Sequence, residues 1–370
     1  MTLLSALSGI KDPRKQGFNT LHPLSSILLL CVCSVLCGAE DYEEIHDYGK
    51  NKIAFLRTFI DFPHGIPSKD TIERVMEAID STVFNACFML WVRESLSVHF
   101  NHIAIDGKTV CGSRRHDGSP LHVMSAAATE LGISLGQVHT TGKGNEIKAI
   151  KDLLPLLNLT DKIVSIDAIG CQVEIVQQIA DLGGQYVIAL EANQGNLHED
   201  VGVLMSRDVM CTKTEKFSKT DKQGSKIVHY EVTIAPKVHW IVEVDKWAKL
   251  EGFIKVECQT EHLITKKITN ETRLYLHAIP NLLAAQAYKI TRGHWGIENK
   301  IHWVLDVVLN EDAHRVHHLQ AAQNLSILRK IAVNVLQMDK TPRKSKKKKM
   351  KNAAWNDDFL KTLLIHIVNS

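Results

Sequence analysis

Two short apolar segments, Ile103-Ala104-Ile105-Asp106 and Ile163-Val164-Ser165-Ile166-Asp167, each run onto an aspartate. Segments this short and this rich in β-branched residues read as buried strands. Alternation places Asp106 on the face opposite Ile103 and Ile105, near the strand's exit, and Asp167 has a similar placement on the later strand. A third carboxylate, Glu298, arrives much later in a helix-patterned stretch, Gly293-His294-Trp295-Gly296-Ile297-Glu298-Asn299. A bare buried charge costs several kcal/mol, and neighbouring carboxylates push one another's pKa upward. Divalent cations remove that penalty, and paired metals held by carboxylates serve in-line displacement at phosphorus. The competing reading is local: each aspartate starts a turn or caps a helix, and Asp106-Gly107 is itself a turn signal.

The pattern divides the chain into five stretches. Residues 1–98 read as a helical N-terminal domain, with a buried helix Leu24–Cys37 behind His22-Pro23 and a second helix at Tyr42–Phe59. Ser68 is an N-cap for a third, running to about Ile79, and Asp80 or Ser81 starts a fourth. Residues 99–196 change character. Strands are expected at Ile103–Asp106, His122–Thr129, Ile133–His139, Ile163–Asp167 and Gln185–Leu190, with helices at Asn145–Leu157 and Gln172–Leu182. This βββαβαβ series predicts an α/β (mixed α+β) core, a mixed sheet with helices on its faces. Residues 197–279 turn polar and read as a β-rich insertion, with strands at 228–234, 238–244, 252–258 and 272–276. Residues 280–338 return to helix, from Leu282 through Leu309 with room for a break and then Leu319–Gln337. Residues 339–370 hold a basic segment and a short apolar helix, Trp355–Val368.

Composition narrows the class. Eight cysteines form no C-x-x-C pair, which argues against a zinc ribbon or a disulfide framework and for a reducing, cytoplasmic setting. The longest apolar run, Leu24–Ala39, is shorter than the roughly 18–20 residues a membrane span needs. It leads into Glu40, Asp41, Glu43 and Glu44 rather than a small-residue cleavage site, so a buried helix is expected and no membrane. Net charge is +3, but residues 340–351 carry eight Lys/Arg and no acid, which leaves −5 on the rest. Lys346, Lys347, Lys348 and Lys349 therefore read either as a solvated stretch or as a nonspecific phosphate clamp, worth about 0.9 log units of salt dependence per phosphate.

Other residues carry chemistry by position. Lys108, Arg114 and Arg115, just past the first aspartate, read as phosphate contacts or as loop charges. Asn193 and Gln194, beyond the last core strand, read as nucleotide contacts or as a plain polar pair. His294, Glu298, His302 and Asp306 recur every four residues and form one polar stripe. A His/Glu/His zinc site is conceivable there, but H-E-x-x-H is absent, and hard oxygen ligands favour Mg²⁺ or Mn²⁺. Trp295 and Trp303 are expected in the core rather than stacked on bases.

Several motifs occur in order: Asp12-Pro13-Arg14, His22-Pro23-Leu24, Gly65-Ile66-Pro67-Ser68-Lys69-Asp70-Thr71, Ile105-Asp106-Gly107-Lys108 and Asp167-Ala168-Ile169-Gly170-Cys171-Gln172. His294-Trp295-Gly296-Ile297-Glu298-Asn299, His302-Trp303-Val304-Leu305-Asp306-Val307, Glu311-Asp312 and Ala353-Ala354-Trp355 follow. Together they resemble the DDE transposases of the H-repeat-associated (ISAs-type) insertion-sequence family, over nearly the whole chain. The resemblance implies an RNase H-like core whose acidic triad, Asp106, Asp167 and Glu298, holds two Mg²⁺ or Mn²⁺ ions, with a β-rich insertion before the glutamate helix. His294, Trp295, Asn299 and His302 are implied as supporting residues. It further implies double-stranded DNA as partner (terminal inverted repeats and target), a homodimer in a synaptic complex, and a bacterial, nucleoid-associated location. The chain departs from the pattern at His294, where relatives often carry arginine, at Leu305, where they carry lysine, and at Glu191, where they resemble Lys-x-Asn-Gln. Two rivals stay open: a DNA-binding remnant without activity, and a metal-dependent nuclease without strand transfer.

Overall fold

Helices fill the N-terminal third because apolar residues recur at helical spacing between capping signals. A computed structural model of the chain describes residues 1–15, 17, 20–95, 99–113, 120–140, 143–206, 214–241, 243–342 and 344–368. Thr2 caps α1 (Leu3–Leu7), and α2 (Leu24–Leu36) starts behind Pro23 with every residue buried except Ser25. Each fully buried leucine or isoleucine there contributes roughly 1.5–3 kcal/mol, so α2 is the hub of this region. Asp41 caps α3 (Tyr42–Leu56), which stops short of Phe59 and is already broken at Lys52 (φ −117°, ψ 16°). Ser68 caps α4 (Lys69–Ala78) by accepting from the Thr71 N–H, and α5 (Ser81–Ser95) follows.

From His102 the chain builds one sheet. β1 (His102–Val110), β2 (Leu121–Ala128) and β3 (Ile133–Thr140) form an antiparallel meander. Helix α6 (Glu146–Leu153) crosses to β4 (Ile163–Ile166), and α7 (Val173–Asp181) crosses to β5 (Gln185–Leu190); β4 lies parallel to β1 and β5 parallel to β4. The order β3-β2-β1-β4-β5, with β2 and β3 antiparallel and β4 and β5 parallel to their neighbours, is the mixed sheet expected of an RNase H-like core.

The polar stretch behaves differently from its pattern. It opens with an unanticipated helix, α8 (Gly195–Ser206), and then supplies β6 (Glu215–Gln223), β7 (Lys226–Pro236), β8 (Gly252–His262) and β9 (Ile268–His277). β9 pairs antiparallel with β5, so these strands extend the core sheet to nine in the order β3-β2-β1-β4-β5-β9-β8-β7-β6. Among the described residues, 238–241, 243 and 244 do not form the expected strand. Val238, Ile241 and Val244 recur every third residue, and they pack against the main core around a turn closed by Ile241 N–H to Val238 C=O. β6 escaped notice because it is almost wholly polar, which an edge strand tolerates and even needs.

Helix α9 (Ala284–Ile297) packs on β1 and β4 and passes into a π turn, Glu298–His302, before α10 (Trp303–Val307). Helix α11 (Leu319–Met338) is buried along most of its length and packs on α2, α4, α5 and β3, which ties the helical region to the sheet. Asn334 fixes that contact by bonding both the N–H and the C=O of Ser134 at 2.8 Å. The basic run is not a loose tail: Ser345 caps α12 (Lys346–Trp355), and α13 (Asp357–Val368) closes the chain. Among the described residues no single helix is long and apolar enough to cross a membrane; α4 and α5 pass that test only as a pair bent by 88°.

Candidate active site at the sheet edge

Asp106 lies inside β1, not at its end. The strand continues to Val110 because β2 pairs with it from Ile103↔Ala128 to Val110↔Leu121, and that ladder overrides the Asp-Gly turn signal. β4, parallel to β1, stops at Ile166 opposite Ile105, so Asp167 leaves its strand level with Asp106. Glu298 is delivered from above, as the first residue of the π turn after α9. Close approach of α9 is possible because residue 293 is glycine: a Cβ there would stand 3.0 Å from His102 Nδ1.

Asp106, Asp167 and Glu298 all line one cavity of about 280 Å³, together with Ser165, Glu191, Arg273 and His294. Burial, with the charges of Asp106 and Glu146, pushes Asp167 up to about 6. Glu298 is held below the usual carboxylate range, first by the His302 ring beside it. His302 is buried, with Nδ1 3.4 Å from Asp106 Oδ2 and 3.8 Å from Glu298 Oε2. One ligand atom from each of Asp106, Glu298 and His302 lies within 4.8 Å of the others, so these three could hold a metal ion. Asp167 stands outside that trio but faces the same cavity. Carboxylate oxygens and an imidazole gathered at one cavity form a donor set suited to a divalent cation.

Beneath the acids runs a chain of hydrogen-bonded polar groups. His294 Nδ1 meets Ser165 Oγ at 2.9 Å, Ser165 Oγ meets His102 Nε2 at 2.7 Å, and His102 Nδ1 meets Thr129 Oγ1 at 2.9 Å. Burial lowers His294 and drives His102 down to about 3. Neither His102 nor Ser165 was singled out from sequence, where each is one polar residue in an apolar strand.

The remaining expected contacts divide. Lys108 is buried, and its Nζ meets Asp306 at 2.7 Å, Glu311 at 3.0 Å and Asp312 at 3.2 Å. That charge is neutralised inside the protein, so the phosphate-contact reading of Lys108 is corrected. Arg114 and Arg115 lie outside the described residues. Asn193 donates to the Ala168 carbonyl and Gln194 to that of Cys171, both at 2.7 Å, so these amides brace the loop carrying Asp167.

The tryptophans are not core residues: Trp295 is 38% and Trp303 54% exposed. Each lies on the solvent side of a helix whose buried face is filled by Ile297, Ile301, Val304 and Leu305. The Arg273 guanidinium covers the Trp295 ring at 4.4 Å, a pairing no local sequence signal announces. Asn299 is exposed, and its amide donates back to the Trp295 carbonyl. Of the four lysines, Lys347 and Lys348 are exposed. Lys346 leans on the Lys300 carbonyl, and Lys349 is buried against the Leu336 and Asp339 carbonyls and the Asp339 carboxylate, so Lys349 is corrected to a structural residue.

Residues 78–335 match the family described as Transposase DDE domain, and residues 4–92 match the region described as DDE_Tnp_1-associated. A protein of Escherichia coli O157:H7 named "Putative transposase YncI" is 35% identical over 368 residues, 98% of this chain and 94% of that protein. One of Escherichia coli K12 named "H repeat-associated putative transposase YhhI" is 34% identical over 369 residues, 98% and 97% of the two chains. Among solved structures, a piggyBac transposase synaptic complex with hairpin DNA aligns with 98% of this chain and 77% of that one, at 9% identity and a TM-score of 0.42, a distant likeness only. Matched over most of its length by one family and over nearly all of it by these relatives, the chain belongs to the Transposase DDE domain family.

Proposed function

We propose that the chain is a metal-dependent DNA transposase whose Asp106, Asp167 and Glu298 form the catalytic acid set. The observation that carries this reading is their convergence: three acids from β1, the end of β4 and the turn after α9 line one cavity. Two divalent ions, Mg²⁺ or Mn²⁺, would supply an activated nucleophilic oxygen and a stabilised leaving 3′-oxygen when bound there. The chain's own residues do the rest by position. Asp106, mid-strand and fixed by the β2 ladder just past the end of β4, is the shared carboxylate between Asp167 and Glu298. Raised by burial and its neighbours, Asp167 gains most from a cation. Ser165 and His294 support the floor of the cavity, and Asn193 and Gln194 hold the Asp167 loop in place. Double-stranded DNA would cross the mouth of the cavity, and a homodimer would bring two DNA ends together.

Asp106→Asn is isosteric and removes one charge. Purified mutant should lose strand cleavage at the element's ends by a factor of about 10² to 10³ or more while still binding DNA. A mutant that nicks those ends at the wild-type rate would overturn the assignment. One observation favours a second reading, a DNA-binding protein that no longer transposes: Glu191 lines the same cavity, putting an anion where a phosphate enters. Pre-cleaved ends separate the two, since only an active transposase joins them to target DNA.

A further inference from the structure

We propose that His302 is a metal ligand, so that one of the cation positions is a carboxylate–imidazole site made by Asp106, Glu298 and His302 that prefers Mn²⁺ to Mg²⁺. This rests on the metal-dependent reading above and specifies the ligands and the ion.

Spacing is the first argument. His302 Nδ1 stands 3.4 Å from Asp106 Oδ2 and 3.8 Å from Glu298 Oε2. Hydrogen-bonded N–H and O pairs close to about 2.7–3.2 Å, and neither contact is that short. Atoms that share an ion at about 2.0–2.2 Å stand about 3 Å apart at right angles and about 4 Å apart when opposite. Both distances fall in that interval. The three groups have the separation of atoms around an ion, not of a closed polar pair.

Availability is the second. His302 is 4% exposed, so packing fixes its ring before any ion arrives. Its Nε2 is buried and meets no hydrogen-bond partner among the described residues, so nothing on that side commits the Nδ1 lone pair elsewhere. The backbone supports the same point: Glu298 and His302 are the first and last residues of the π turn, a local widening of the helix of a kind often found at functional sites. The turn presents both side chains toward Asp106.

Asp167 is the contrast. It shares the cavity but is not part of the trio, which leaves it, with Asp106, to face the other cation position. The two positions therefore differ in chemistry, one with an imidazole and one of oxygen alone. A nitrogen donor adds little for Mg²⁺, which takes oxygen, and more for first-row transition ions.

The test uses Mn²⁺ and the full chain without DNA. Pulsed electron paramagnetic resonance of the bound Mn²⁺ should show coupling to an imidazole ¹⁴N. His302→Gln should remove that coupling and weaken Mn²⁺ binding at least tenfold, with Mg²⁺ binding weakened less than threefold. His294→Gln, altering an imidazole that lines the cavity outside the trio, should leave the coupling in place and serves if His302→Gln does not fold. Bound Mn²⁺ without nitrogen coupling, or coupling that survives His302→Gln and vanishes in His294→Gln, overturns the ligand assignment while leaving the metal reading intact. Wild-type protein that binds no Mn²⁺, or binds it unchanged after Asp106→Asn, sinks the metal reading itself.

Discussion

β1 carries two acidic clusters side by side, and they have opposite fates. Around Asp106 gather Asp167 and Glu298 at one cavity, where burial and the charges of Asp106 and Glu146 raise Asp167. Two residues further along the same face, Lys108 meets Asp306, Glu311 and Asp312. Burial alone would raise Glu311, but Lys108, Lys330 and Arg329 outweigh it and hold that carboxyl at about 2. The second cluster is neutralised by the protein's own cations and acts as a buried fastener between β1, α10 and α11. The first has a surplus of negative charge at an open cavity, which is the state expected of a site completed from outside. Identical residue types are thus neutralised in one place and left without an internal cation in the other, and the difference is whether Lys108 reaches them.

The sharpest way to break this comparison is to take the internal cation away. Lys108→Met should destabilise the protein by about 3–5 kcal/mol in urea denaturation, because Glu311 is left charged and buried without its closest partner. Asp106→Asn, in metal-free protein, should cost little or slightly stabilise, since it relieves repulsion. Comparable losses in both variants would show that the clusters do not differ in kind.

Acid titration should separate them by sign. Glu311 has its folded pKa depressed from 4.5 to about 2, so its contribution is present above pH 4.5 and lost as pH falls toward 2. The amount is on the order of 3 kcal/mol, and Glu311→Gln should flatten that part of the stability profile. Asp167 runs the other way, with its folded pKa raised from 3.8 to about 6. Metal-free protein should lose stability as pH rises from about 4 through 6, by no more than about 1 kcal/mol because the side chain still reaches solvent. Asp167→Asn should abolish the slope, and saturating Mn²⁺ should reverse it; a slope unchanged by either would detach Asp167 from the site.

The smallest effect belongs to the basic helix. Lys347→Ala with Lys348→Ala should leave stability unchanged and reduce the salt slope of DNA binding by roughly 2 on a log–log plot. Lys349→Ala should do the reverse, costing stability with little change in slope, because that ammonium is buried on Asp339. Deleting the whole basic stretch would confuse the two, since α12 is packed into the body.

Much of this was legible in the residues. The βββαβαβ series and the capped helices follow from apolar periodicity and capping chemistry, which are set within a few residues of chain. The failures share a cause. β6 is polar because it is an edge, residues 238–241 turn because their apolar spacing suits a turn against the core, and β1 runs past Asp-Gly because β2 is there to pair with it. Each outcome depends on a neighbour far along the chain.

The site divides along the same line. By itself the sequence determined which acids exist, that two follow short buried strands and that a third rides on a helix. Only the tertiary structure decided which acids find a cation within the protein, that Lys108 is committed to Glu311 across 203 residues, and that His302 rather than Asp167 stands within ligand spacing of Asp106 and Glu298. Hydrophobic patterning is read locally, whereas the state of a charge is set by whatever lies about 3 Å from it, and that is fixed only when the chain has folded.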